Sequence, residues 1–278
     1  MNEILKIENL SKNFAKKSLF QSETEIVTAS DNVSFSLKEN EILAIAGQSG
    51  SGKSTIARLI LRAIEPDSGK IFFEGDQVSD NSSGLKKLRM QCQMVYQDPY
   101  DSINPRMKIF DIINEPLEIH SVGTKESRKK MVFDALQQVK LEPTKDIAKK
   151  YPHMLSGGQR QRVVIARALV VKPKVIIADE PVSMLDVSIR AEILEIMSEI
   201  QKNNKISFIY ITHDLATAKH FADRIIILYE GKIVETGNIK SVLREPKHQY
   251  TKALIDAVSE PDPENLYKEK KISWQIKE

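Results

Sequence analysis

The sequence predicts an α/β protein with a parallel-sheet core built on a P-loop, an antiparallel β subdomain beside it, and a helical insertion. Three observations lead there. Gly47-Gln48-Ser49-Gly50-Ser51-Gly52-Lys53-Ser54-Thr55 matches GxxxxGK[ST], between the apolar run 42–46 and a segment carrying Ile56, Leu59, Ile60 and Ile64 at helical spacing. Val175-Ile176-Ile177-Ala178 and the stretch 206–211 are apolar runs of the kind that strands buried on both faces of a parallel sheet require. Residues 5–10 and 33–37 instead alternate apolar and polar side chains, as half-buried antiparallel strands do.

The 278 residues suffice for an ample core, and 41% hydrophobic with 28% charged residues is ordinary for a globular protein. A net charge of only +3, from 41 basic and 38 acidic side chains, argues against a nucleic-acid partner. The single cysteine, Cys92, excludes an intrachain disulfide framework and suits a reducing cytosol, with a packing role. The first six residues lack the basic and apolar regions of a signal peptide, and no apolar run approaches bilayer length. Any membrane role is therefore expected to run through a partner.

Taken in order, residues 15–29 are polar and mixed in charge and read as a loop or a long hairpin, with Lys12, Lys16 and Lys17 a solvated cluster. Pro66-Asp67-Ser68-Gly69 turns into a strand at 70–73, and Glu74-Gly75-Asp76 turns again. Asn81-Ser82-Ser83-Gly84 reads as a loop before a short strand at 94–96 that ends at Gln97. Residues 100–165 form a mainly helical insertion, with Met131, Ala135, Leu136 and Val139 at helical spacing. Leu155-Ser156-Gly157-Gly158-Gln159 then opens a helix, with Ser156 as its N-cap and the glycines leaving room for another molecule's phosphate at the positive end. Ser183-Met184-Leu185-Asp186 leads into a helix with Ile189, Ile193, Ile196, Met197 and Ile200 on one side. A last hairpin spans 224–229 and 232–235, and the charged end from about residue 260 reads as disordered. The expected division is a core with its β subdomain at 1–98 and 166–240, a helical subdomain at 99–165, a C-terminal segment at 241–258 and a tail at 259–278.

The chemistry follows from residue types at these positions. Glycines that tolerate positive φ let the amides of residues 47–52 turn inward and cradle phosphates at the start of a helix. Lys53 would reach the β- and γ-phosphates, and the Ser54 hydroxyl would ligate Mg²⁺. Asp179 and Glu180 close a buried strand at its carboxyl end, one to serve the metal, the other to orient or deprotonate an attacking water. His213 closes the next strand, either as a structural histidine or beside the same phosphate.

With Gln97, Leu155-Ser156-Gly157-Gly158-Gln159, Asp179-Glu180, Asp186 and His213 following the P-loop in this order, the chain resembles the ATP-binding subunits of ABC transporters over residues 3 to about 240. That resemblance implies a RecA-like P-loop NTPase core of the ABC ATPase fold, with ATP and Mg²⁺ as cofactors. It implies catalytic roles for Glu180, His213, Lys53 and Gln97, a metal set of Ser54, Gln97 and Asp179, and an adenine-stacking ring at Phe14. Residues 47–55 would bind the chain's own ATP. Ser156, Gly157, Gly158 and Gln159 would serve the nucleotide of a second ATPase closing head to tail.

Gln97-Asp98-Pro99-Tyr100, Glu115-Pro116-Leu117 and the stretch 246–254 narrow the likeness to the oligopeptide, dipeptide and nickel importer branch, as the second of two different ATPases. The branch implies two transmembrane permease subunits, a separate solute-binding protein, and a place on the cytoplasmic face of the cell membrane. Met184 stands where relatives usually carry Ala, Met154 where Glu is frequent, and the tail has no cysteines for an iron–sulfur cluster. A chromosome-structuring ATPase would insert a long coiled coil where only 103 residues separate Lys53 from Ser156. A translation-factor ATPase would join two such heads, and a catalytically dead subunit would not need Glu180 and His213. The transported solute leaves no signature.

Overall fold

A computed structural model describes residues 2–17, 24–79 and 81–259. In chain order, β1 (Glu3–Lys17) and β2 (Thr24–Lys38) form a hairpin, and β3 (Ile42–Ala46) leads through the P-loop into α1 (Lys53–Ile60). Next come β4 (Ser68–Phe73), β5 (Asp76–Gln77), α2 (Ser82–Gln91) and β6 (Cys92–Val95). A helical stretch follows, comprising α3 (Ile109–Ile119), α4 (Lys125–Gln138), α5 (Thr144–Ile147), a 3-10 turn at Pro152–Met154 and α6 (Gly157–Leu169). The chain continues through β7 (Val175–Asp179), α7 (Val187–Asn204), β8 (Ser207–Thr212), α8 (Leu215–Phe221), β9 (Arg224–Tyr229) and β10 (Lys232–Asn238) to α9 (Ile239–Arg244) and α10 (Gln249–Ser259).

Two sheets result. One is antiparallel, with strand order β2-β1-β4-β5; the other runs β10-β9-β3-β8-β7-β6. In the second, β9, β3, β8, β7 and β6 are parallel, and β10 pairs antiparallel at one edge. The apolar runs divide their side chains between two cores, because successive residues of a strand face opposite sides. Leu43, Ile45, Ile177, Ile209 and Ile211 pack with α1 and the antiparallel sheet. Their neighbours Ala44, Ala46, Ile176, Phe208 and Tyr210 pack with the helical stretch, α7 and α8. Burying each large side chain contributes roughly 1.5–3 kcal/mol, so both faces of the parallel sheet are strongly fixed. Cys92, 1% exposed, belongs to the first core, where burial pushes its thiol pKa well up. No helix of the described residues is long and apolar enough to cross a membrane.

Two local expectations change, at Lys12 and at Asn81. Of the two readings of the polar segment 15–29 the hairpin holds: β1 and β2 remain paired out to Lys17 with Thr24, and residues 18–23 lie outside the described residues. Its outer part carries Phe14, Ile26 and Val27 exposed, so no buried face imposes an alternating pattern. Lys12 is not simply solvated; its ammonium pairs with Asp67 at 2.7 Å and sits 5.8 Å from the centre of the Phe14 ring. Asn81 does not belong to an open loop but caps α2, accepting the Gly84 N–H at 2.7 Å. That helix buries only Leu88, which leaves no apolar period to read. The short helix α8 is likewise capped, by Asp214, which accepts the N–H groups of Ala216 and Thr217. From residue 260 onward the expected tail lies outside the described residues.

Candidate active site

Strands β6, β7, β8 and β3 are parallel neighbours, so their carboxyl ends open on one side, where ligands bind in α/β sheets. The P-loop leaves β3 there, Gln97 follows β6, Asp179 and Glu180 end β7, and His213 follows β8. A cavity of about 710 Å³ is lined by P-loop residues together with Gln97, Glu180 and His213. Ser54, Gln97 and Asp179 also border an adjoining depression of about 440 Å³.

Glycine is required at two loop positions for different reasons. Gly50 adopts φ 82° with open space around it, so only its backbone conformation demands glycine. Gly52, the N-cap of α1 at φ 102°, also lies so close to β2 that a Cβ would stand 2.0 Å from the Ala29 carbonyl oxygen. Lys53, 5% exposed, donates from Nζ to the carbonyl oxygens of Gly47 at 2.8 Å and Gln48 at 2.7 Å. An ammonium has three donors, which leaves one for a phosphate. Burial lowers the Lys53 pKa, and the carboxylates of Glu180 and Asp179 oppose that shift. Ser51 is turned inward: its side chain is buried, and its N–H donates to the Gln48 carbonyl at 3.2 Å.

Glu180 is a non-glycine residue at φ 46°, held there by its N–H donating to Ile211 O at 2.9 Å. Such left-handed backbone is uncommon for non-glycine residues and clusters at active sites. One carboxylate oxygen, Oε2, accepts from Gln97 Nε2 at 3.1 Å and lies 3.0 Å from His213 Nδ1. The shifts of the two partners agree: the bond with His213 lowers the Glu180 pKa, and the same bond raises that of His213. Asp179, 7% exposed, accepts the Ser54 hydroxyl at 3.1 Å, and burial raises its pKa despite that bond.

These residues fit Mg²⁺. Ser54 and Asp179 offer adjacent hard oxygen donors around a carboxylate whose charge burial disfavours, and the Gln97 amide borders the same depression. Among the described residues no group of three or more His, Cys, Asp or Glu forms a metal cage. That is as expected for a cation held partly by nucleotide phosphates.

Other predicted residues lie apart from the cavity. Phe14, 42% exposed, does not line it but pairs across the hairpin with Val27, which does. Ser156, Gly157, Gly158 and Gln159 begin α6 and are absent from the lining of the chain's own cavity. Ser156 accepts the Gln159 N–H at 3.3 Å, and the Gln159 side chain accepts the Ser156 N–H at 3.1 Å. Gly158 has a packing reason as well, since a Cβ there would meet Ile189 of α7 at 2.6 Å. Val27, Ala29 and Ala257 line the cavity without any motif to announce them, while Leu254, which also lines it, and Tyr250, which touches the P-loop, belong to the stretch 246–254 that the sequence marks only as a family likeness and not as a nucleotide contact.

A phosphate-cradling loop beside an acid pair and a histidine, at the ends of adjoining parallel strands, defines a P-loop ATPase. The chain belongs to the ABC transporter family, as one of its ATP-hydrolysing subunits: the family model described as "ABC transporter" matches residues 30–183. A second model, "Oligopeptide/dipeptide transporter, C-terminal region", matches residues 234–276. The chain is 45% identical to the oligopeptide transport ATP-binding protein OppF of Streptococcus mutans, over 94% of this chain and 83% of that one. It is 39% identical to the dipeptide transport ATP-binding protein DppF of Escherichia coli, over 98% and 81%. Among solved structures, the dimeric post-hydrolysis state of the ATP-binding cassette MJ0796 bound to ADP and Pi matches with a TM-score of 0.74 at 30% identity, covering 84% of this chain and 98% of that one. The structure of cbiO1 from Clostridium perfringens, part of the ABC transporter complex cbiONQ, matches with a TM-score of 0.76 at 31% identity, covering 88% and 92%.

Proposed function

We propose that this chain powers peptide import: it binds MgATP between itself and a second ATPase, and couples hydrolysis to paired membrane permeases fed by a separate solute-binding protein. The observation that carries the catalytic part is the Glu180 carboxylate held between Gln97 and His213 at the P-loop cavity. Relatives named for oligopeptide and dipeptide transport, and the C-terminal match, favour peptides as the solute. A peripheral place on the cytoplasmic face of the membrane follows from that role.

In this reading the free donor of Lys53 and the P-loop amides other than those of Gln48 and Ser51, which are already bonded, hold the phosphates. Glu180 positions the attacking water and draws on its proton, while Gln97 and His213 fix the carboxylate's direction. The hydrogen bond with Glu180 raises the His213 pKa, which favours the charged form of the imidazole near the γ-phosphate. Mg²⁺, when bound, neutralises charge on the phosphate oxygens, and Ser54, Asp179 and Gln97 are the residues that would hold it. Phe14 stacks on adenine, with Val27 beside it. Ser156 to Gln159 cover the nucleotide of the partner ATPase, since they do not reach this chain's own cavity.

Replacing Glu180 by Gln should lower steady-state hydrolysis by about 10²–10⁴-fold, the worth of a positioned base, while ATP binding persists. Wild-type turnover by that variant in the assembled transporter would remove Glu180 from the mechanism. Stimulation of the ATPase by a peptide-loaded binding protein, in vesicles carrying the permeases, tests the solute.

A further inference from the structure

The C-terminal helix α10 reaches the P-loop directly. The Gln48 N–H donates to the Tyr250 hydroxyl at 2.9 Å, across 202 residues of sequence. This N–H belongs to the Gly47–Gln48 peptide, whose carbonyl oxygen, that of Gly47, accepts from Lys53 Nζ at 2.8 Å. A peptide unit is planar and trans, so its N–H and C=O point in opposite directions, and fixing one aims the other. Tyr250 therefore grips one end of a rigid plate, and Lys53 grips the other.

Tyr250 is itself firmly placed. It is 2% exposed, and its ring centroid lies 4.3 Å from that of Tyr229 at the end of β9. The start of α10 is tethered to β10 by Glu235, whose carboxylate accepts the N–H groups of Lys247 at 2.9 Å and His248 at 3.0 Å. Leu254 and Ala257, one and two turns further on, share the face of Tyr250 and line the cavity together with the P-loop.

We propose that Tyr250 is a positioning residue for ATP binding, acting through the Gly47–Gln48 peptide on Lys53, and that α10 forms one wall of the nucleotide cavity. The inference rests on the P-loop cavity being the ATP site. It assigns to the C-terminal segment a part in holding nucleotide. Tyr250 touches no phosphate; it sets where the lysine ammonium waits. A helix that only packed against the core would not need a hydroxyl aimed at a loop amide.

The test uses the full chain and measures ATP affinity by calorimetric titration below the melting transition, and KM and kcat in the assembled transporter. Tyr250→Phe keeps the ring against Tyr229 and removes only the hydroxyl. It should weaken ATP binding by about 3- to 10-fold, the worth of one such hydrogen bond, raising KM while kcat is largely retained. Ala257→Glu, at an exposed position, places a carboxylate in the wall without a folding burden. It should also weaken ATP binding, with the effect relieved by added salt. ATP affinity and KM equal to wild type in Tyr250→Phe would overturn the positioning role. A wild-type chain that bound no ATP would instead overturn the assignment of the cavity, and this inference with it.

Discussion

Glu180 joins a left-handed backbone to a carboxylate gripped by two side chains, and its chemistry is therefore tied to its neighbours. Because the folded-state pKa of His213 is raised, its pairing contributes fully below the ordinary imidazole value and is lost as pH rises through the raised one. Glu180 runs the other way: its pKa is lowered, so its contribution holds above the ordinary carboxylate value and is lost as pH falls through the lowered one. In an NMR titration of the nucleotide-free chain, His213 should titrate above free imidazole, and Glu180→Gln should bring it back towards the ordinary value. An unshifted His213 in the wild-type chain would contradict the pairing. At Gly52, alanine meets both a disfavoured φ of 102° and the Ala29 carbonyl, so Gly52→Ala should lower the melting temperature and abolish measurable ATP binding.

At the scale of elements, legibility tracked whether chemistry or burial constrains the residue types. The P-loop, the acid pair and His213 can be read because phosphate binding and water activation demand particular groups at particular strand ends. The buried strands can be read because two cores claim alternate residues of each. Neither constraint acts on α2, which buries only Leu88 and is held by its cap, nor on the outer hairpin, which buries little; α8 does bury Leu215, Ala218 and Phe221, but over seven residues it is too short to show a period. The contribution of α10 is hidden for another reason: its link to the P-loop runs through a main-chain N–H, which leaves no mark on the loop's own residue types. Asn81→Ala should cost about 1 kcal/mol, the usual worth of an N-cap, seen as a melting temperature lower by roughly 2–4 °C for a chain of this size. No change at all would show that α2 is specified by something other than its cap.

For the molecule as a whole, the unfinished site has a kinetic consequence. If Ser156 to Gln159 complete a partner's cavity, the rate per chain must depend on how often two ATPases meet. With the partner ATPase present in equal amount, activity per milligram should rise with protein concentration, and in Glu180→Gln, which stalls after binding, ATP should drive formation of a two-ATPase particle seen by light scattering. Activity per milligram that is constant across a hundredfold dilution would contradict the shared site.

The two-core sheet also limits how this sequence can change in length. Adding one residue to β7 ahead of Ile176 would shift the register by one and exchange the faces of every residue up to Asp179. Ile177 would turn towards the helical side, Ala178 towards α1, and the Asp179 carboxylate away from Ser54. Insertions and deletions in such strands should thus be lethal to function even where the added or removed side chain is apolar.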